Sequence, residues 1–225
     1  MSEERARQLI AQGDKKLASW GFFSSSNKHE DAEELYKKAA NQLKVLKSWD
    51  EAGAAFEKAA QCHIKLQSPH EAATTYQEAA GCYRKTNVKQ AIVLYKEVVS
   101  IHIDLGRFTT AAKVQKEIGE LLEAEGDLAA AICELTTAAE YYQAEEQHSS
   151  ANQVLLKVAG LSAASMDYAR AVEIYEQVAF ASMETSLLKF SVKNYLWLAG
   201  VCRLATGEIG AAVDALERCV TLRAG

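Results

Sequence analysis

Small and large apolar residues recur along this chain with a beat of twenty. The stretches EDAEELYKKAA, EAGAAFEKAA and EAATTYQEAA end at Ala40, Ala60 and Ala80. In each, an alanine is followed four residues later by an aromatic, and then by a pair of small residues. The large slot falls in turn on Tyr36, Phe56, Tyr76, Tyr95, Gln115, Leu135, Leu155, Tyr175, Tyr195 and Ala215, a step of twenty broken once by nineteen. Apolar positions within each step sit at helical spacings, so each unit predicts one helix. About sixteen helical residues rise roughly 24 Å. Turn-forming residues keep the same beat at Ser48, Ser68–Pro69, Thr86–Asn87, Gly106, Gly126, His148, Asp167 and Gly207. Connections this short make neighbouring helices antiparallel.

A helix with one apolar stripe buries it only against its neighbours, so the hairpins have to stack. The expected fold is all-α, a tetratricopeptide-like α-solenoid of antiparallel helical hairpins, with residues 1–225 as one helical-repeat domain. Two units make a repeat of about forty residues, longer than the roughly 34 of the tetratricopeptide type but with the same small-and-aromatic logic. A globular helical bundle is the competing arrangement, and the regular beat argues against it. Residues 1–19 predict an N-terminal capping helix with Ala6, Leu9, Ile10, Gly13 and Leu17 on its apolar face. Residues 20–28 predict an exposed loop, and 29–225 the hairpins. At the far end Val213, Leu216, Val220 and Leu222 form an apolar face with no evident cap, which points to a truncated chain or a partner there.

Composition agrees with helices and narrows the setting. A single proline, Pro69, stands among 225 residues, and strong helix formers dominate. The net charge of −5 argues against wholesale nucleic-acid binding. Cys62, Cys82, Cys133, Cys202 and Cys219 contain no CxxC pair, and the start MSEERARQ is not a signal peptide. No apolar run is long enough to cross a bilayer. The expected location is cytoplasmic, with any membrane contact peripheral.

The titratable residues do not assemble into recognisable chemistry. His29, His63, His70, His102 and His148 lack metal-ligand spacing, and the glycines stand singly. Glu33–Glu34, Asp127 and Glu145–Glu146 suit solvated faces or helix caps. The chain is therefore not expected to be an enzyme or to carry a cofactor or metal. Its cations are more informative. Lys113, Gln153 and Lys193 recur forty residues apart, and Lys157 follows Gln153 by one helical turn. Lys44, Lys47, Arg84, Lys85 and Arg107 gather near the turns. A row of cations on an acidic protein suits an elongated anionic partner. One further feature stands outside the beat: Phe22 and Phe23, two apolar rings between a glycine and three serines.

The segments SWGFFSSS at 19–26, LKSWDEAGAAFEKAA at 46–60, DLGRFTTAAK at 104–113, YYQAEEQHSSANQVLLKVAG at 141–160 and AVEIYEQVAFASMETSLLKFSVKNY at 171–195 carry a specific similarity. The chain resembles the soluble NSF attachment proteins of the alpha/beta, Sec17-like type, in one colinear block from about residue 5 to about residue 220. The resemblance implies a twisted sheet of helical hairpins followed by a globular C-terminal bundle. It implies an adaptor for vesicle fusion and membrane traffic that coats the assembled SNARE complex, with its syntaxin, synaptobrevin and SNAP-25 type helices. That adaptor recruits the AAA+ ATPase NSF, which pulls the bundle apart. Matched segment by segment, the implied SNARE-binding residues are Lys47, Arg84, Lys85, Arg107, Lys113, Lys157 and Lys193, with Gln153 standing where a lysine is usual. Phe22 and Phe23 match the pair proposed to dip into the bilayer. The family continues past Gly225 with the bundle and tail that engage NSF, so a short SNARE-binding variant unable to recruit NSF is an alternative. A generic peptide-binding helical scaffold is another.

Overall fold

The computed structural model describes residues 2–18, 25–183 and 189–221, without the side chains of 25–27, 189–190, 215–216 and 218–221. These residues form α1 (Glu3–Ala18), α2 (Ser25–Val45), α3 (Trp49–Lys65), α4 (Pro69–Tyr83), α5 (Val88–Asp104) and α6 (Phe108–Ala124). The series continues with α7 (Leu128–Ala144), α8 (His148–Ala164), α9 (Tyr168–Met183), α10 (Lys189–Ala205) and α11 (Ile209–Thr221). No strand occurs among the described residues. The expected loop over 20–28 needs correction, because α2 begins at Ser25. Serine and asparagine suit the first turn of a helix, where backbone N–H groups lack partners within the helix. The Phe22–Phe23 pair lies outside the described residues.

Consecutive helices pack as hairpins in two compact units, Met1–Val114 and Gln115–Gly225, with the division inside α6. In the first unit the slots at Tyr36, Phe56 and Tyr95 are buried as the beat requires, and Tyr76 is half-buried. Tyr36 and Phe56 are fully buried, Tyr36 in a cluster with Ala32, Ala59 and Cys62, on which Ile10 and Leu17 of α1 pack. Small residues there permit close approach. A Cβ on Gly13 would lie 2.7 Å from the Tyr36 ring, and one on Gly53 equally close to Tyr83. Alternate helices are also tied together. Arg7 of α1 bonds Glu51 of α3 at 2.6 Å, and Lys58 of α3 bonds Asp14 of α1 at 2.7 Å.

In the second unit the glutamine in the slot sequence has a clear physical basis. Gln115 is buried and donates its amide to the Glu134 carboxylate, so the polar group is satisfied. The beat then slips. Buried alanines precede the slots at Ala131, Ala151 and Ala171, but the next buried position is Val192. The large residue it leads is Leu196, fully packed, whereas Tyr195 is half-buried. From Tyr175 to Leu196 the step is twenty-one, and Ala212 carries the new phase into α11. The slot expected at Tyr195 is therefore corrected to Leu196, whereas the side chain at the slot expected at Ala215 lies outside the described residues. The extra residue falls between the buried positions of α9 and those of α10.

The junctions are nearly uniform. Seven of them place one residue in the left-handed backbone region: Lys47, Gln67, Gly106, Gly126, Glu146, Met166 and Gly207. In each, the following N–H reaches back five residues, as Ser48 does to the Leu43 carbonyl at 3.0 Å. That same following residue opens the next helix, so three residues both close and open a helix. Asp127 caps α7 by accepting from the Ala130 N–H at 3.1 Å, as expected of that carboxylate. The α7–α8 junction falls at 145–147, and His148 is already helical. The α4–α5 junction differs, running over four residues after a fifteen-residue α4 with Asn87 as the cap. It accounts for the single step of nineteen.

Candidate functional site

The cations expected at the surface of the first unit divide between its two edges. Lys47 sits exposed in the α2–α3 junction, with Arg84 and Lys85 exposed in the α4–α5 junction. The hydroxyl of Thr86 donates to Asp50 at 2.6 Å, which ties these two junctions to one edge. Lys44 lies in the last turn of α2, 5.2 Å from the Phe56 ring centroid and 3.7 Å from Glu78 of α4. Arg107 occupies the α5–α6 junction at the opposite edge, roughly 24 Å away along a helix of about sixteen residues. Its guanidinium reaches His70, at the start of α4, with Nη1 2.9 Å from Nδ1. Lys113 is exposed in the second turn of α6.

His102 lies buried near Arg107, and its Nδ1 has no hydrogen-bond partner. Burial lowers its pKa, reinforced by the Arg107 charge and by His70, so the imidazole is neutral near pH 7. Among the described residues no carboxylate pairs with Arg107.

In the second unit the expected cation Lys157 is paired with carboxylates. Lys157 of α8 lies 2.7 Å from the Glu123 carboxylate and 3.3 Å from that of Glu120, both on α6. Burial pulls its pKa down, but the two carboxylates outweigh this and hold the ammonium above its ordinary value. Gln153 is exposed in the second turn of α8, the repeat position that Lys113 holds in α6. Lys193 does not share that position, because the slip before α10 moves it one place and gives the exposed site to Asn194. The expected threefold periodicity of Lys113, Gln153 and Lys193 is thus reduced to the first two.

Two surface features escaped the reading of the sequence. His70 stands 37 residues before Arg107, and only the rule that alternate junctions share an edge brings them together. On α10, Trp197, Val201 and Leu204 are 51%, 42% and 48% exposed and stand at helical spacing. Val213 of α11 is 46% exposed, whereas the side chains of Leu216 and Val220 lie outside the described residues. The α10 stripe was visible in LWLAGVCRL once the slip of one residue is known. Among the described residues no three His, Cys, Asp or Glu side chains gather as metal ligands would. No helix of these residues is long and apolar enough to cross a membrane.

Stacked hairpins with small-and-large slots, bearing surface cations in their junctions, define a tetratricopeptide-like helical-repeat scaffold. The same fold is seen in a Podosopora anserina protein of nearly identical TPR-like repeats, at a TM-score of 0.54 and 21% identity over 84% of this chain and 93% of that one. Residues 4–224 match the family model described as "Soluble NSF attachment protein, SNAP". The chain belongs to the soluble NSF attachment protein family. It is 40% identical to the alpha-soluble NSF attachment protein of Vitis vinifera over 96% of this chain and 74% of that protein. The Homo sapiens alpha protein is 40% identical over 93% of this chain and 73% of its own length. The Dictyostelium discoideum protein is 44% identical over 99% and 78%.

Proposed function

We propose that this chain is an adaptor that binds assembled SNARE complexes for disassembly by the NSF ATPase in vesicle fusion. The observation that carries the reading is the match to the family over residues 4–224, at about 40% identity to proteins named for attachment of NSF. The chemistry of the surface supports it. Lys47, Arg84, Lys85, Arg107, Lys113, Lys157 and Lys193 are the SNARE-facing cations in this reading, on a chain whose net charge is −5. A cationic surface on an acidic protein attracts an acidic helical bundle and orients it. Phe22 and Phe23 are the membrane-contacting pair, each ring contributing about 1.5–3 kcal/mol if fully inserted. The protein works in the cytoplasm and touches the bilayer peripherally, without enzymatic chemistry or cofactor of its own.

The test is affinity for a soluble SNARE bundle and for the same bundle anchored in liposomes. The chain should bind both, and the anchored form more tightly. Serine at Phe22 and Phe23 should leave soluble binding within about twofold and remove the liposome advantage. Absence of binding to both forms overturns the reading. A parallel reaction with NSF and ATP separates a working adaptor, which releases the SNARE helices, from a chain that binds them without recruiting the ATPase.

A further inference from the structure

Arg107 is a cation of the first unit that is held by hydrogen bonds yet meets no carboxylate among the described residues. Its backbone is fixed on both sides: the N–H donates to the His102 carbonyl at 2.8 Å and the carbonyl accepts from Ala111 at 3.0 Å. Its side chain is fixed by His70, 2.9 Å away. An arginine has only donors, so the Nδ1 of His70 is the acceptor and its proton resides on Nε2. His70 is itself anchored in the first turn of α4, directly after Pro69 at the helix start, and its carbonyl accepts from the Thr74 hydroxyl at 3.0 Å.

A neutral acceptor has a consequence that an acidic one lacks. A carboxylate would orient the guanidinium and cancel its charge together, as Glu176 and Glu208 do for Arg203 at 2.8 and 3.4 Å. An imidazole orients it and leaves the full positive charge in place. His102 beneath it, buried and without a partner for its Nδ1, supplies no negative charge either. Both Arg107 and His70 are exposed, so the remaining N–H groups of the fork are open to solvent. This is the arrangement that bidentate capture of a carboxylate needs: a planar donor pair, fixed in advance and not neutralised. Pre-fixing also lowers the side-chain entropy lost on binding.

We infer that His70 is a positioning residue that holds the Arg107 guanidinium ready for a carboxylate side chain of the acidic bundle. This rests on the adaptor reading above and adds to it a residue and the class of group recognised. The side chain of His70 acts through Arg107 and makes no contact with the partner that matters by itself.

The test is a double-mutant cycle on binding to a soluble, assembled SNARE four-helix bundle at one fixed salt concentration. Arg107→Ala should weaken binding at least about tenfold, and His70→Leu about fivefold. His70→Asn, whose amide oxygen accepts near the place of Nδ1, should stay within about twofold of the parent. In the Arg107→Ala background, His70→Leu should cause no further loss. In the isolated chain, Arg107→Ala should also move the nitrogen resonance of His70 Nδ1, a readout that needs no partner. Equal losses for His70→Leu in both backgrounds overturn the inference, as does no loss in the parent. An unmoved Nδ1 resonance overturns the contact itself. If the parent chain binds no SNARE bundle, the adaptor reading falls and takes the inference with it, whereas failure of the cycle alone leaves that reading standing.

Discussion

The two units of this chain are built from one repeat, yet they handle phase and charge differently. The first packs its slots at Tyr36, Phe56 and Tyr95, leaves Tyr76 half-buried, and absorbs its one irregular step in the four-residue α4–α5 junction. The second slips by one residue before α10, so that Leu196 takes the slot and Tyr195 moves half out of the core. One cation in each unit also differs in its partner. Arg107 is steadied by a neutral imidazole, while Lys157 is held between Glu120 and Glu123. Register determines where a side chain stands in the repeat. The helix two places away determines whether its charge is available to a partner.

The largest effect that sharpens this contrast is on stability. Leu196→Ala should destabilise the chain by about 2–5 kcal/mol, comparable to or below Phe56→Ala at about 3–5 kcal/mol, because each opens a cavity in a packed slot. Tyr195→Ala should lose about 1 kcal/mol, since a half-buried ring leaves no closed cavity. Urea denaturation measures all three, and the opposite order at 195 and 196 would restore the unbroken beat. A smaller effect concerns charge. Glu120→Gln combined with Glu123→Gln should release Lys157 and raise affinity for an acidic SNARE bundle about threefold. No gain would mean that Lys157 faces away from the partner.

The smallest effect is a pH dependence confined to the first unit. The folded chain disfavours the charged form of His102, chiefly through burial and then through Arg107 and His70. The unfolded chain therefore binds more protons once the pH drops below the ordinary histidine value of about 6.5. Stability should be level above that value and fall as the pH drops through it, and His102→Gln should make the slope shallower between about pH 7 and 5, with His29, whose pKa burial also lowers, supplying the rest. A slope unchanged by that substitution would assign it to another group.

Much of this architecture is legible in the sequence because the constraint is local. An alanine, a large residue four places on and a small pair determine which helix face is buried, and turn residues mark the ends. The slip in α10 was harder to see because Tyr195, Leu196 and Trp197 are all large, so any of them satisfies a search for a bulky slot. The small pair at Ala199–Gly200, three and four residues after Leu196, carried the correct phase. The early start of α2 was obscured because serines serve both loops and helix first turns. The partners of the cations were not legible at all. Lys157 meets carboxylates 34 and 37 residues earlier, and His70 lies 37 residues from Arg107. Such distances acquire meaning only after alternate helices are known to lie side by side.

The three-residue junctions bear on how a chain of this kind can change its length. Their last residue belongs to two helices at once, so an inserted residue finds no slack in which to be absorbed. Each added residue would turn the helix that follows by about 100°, taking its alanines out of the core. Deletions meet the same obstacle, and the α4–α5 junction shows the compensation needed, a shorter helix joined to a longer link. Inheritance should therefore preserve spacing more strictly than residue identity, with gains and losses arriving as whole hairpins.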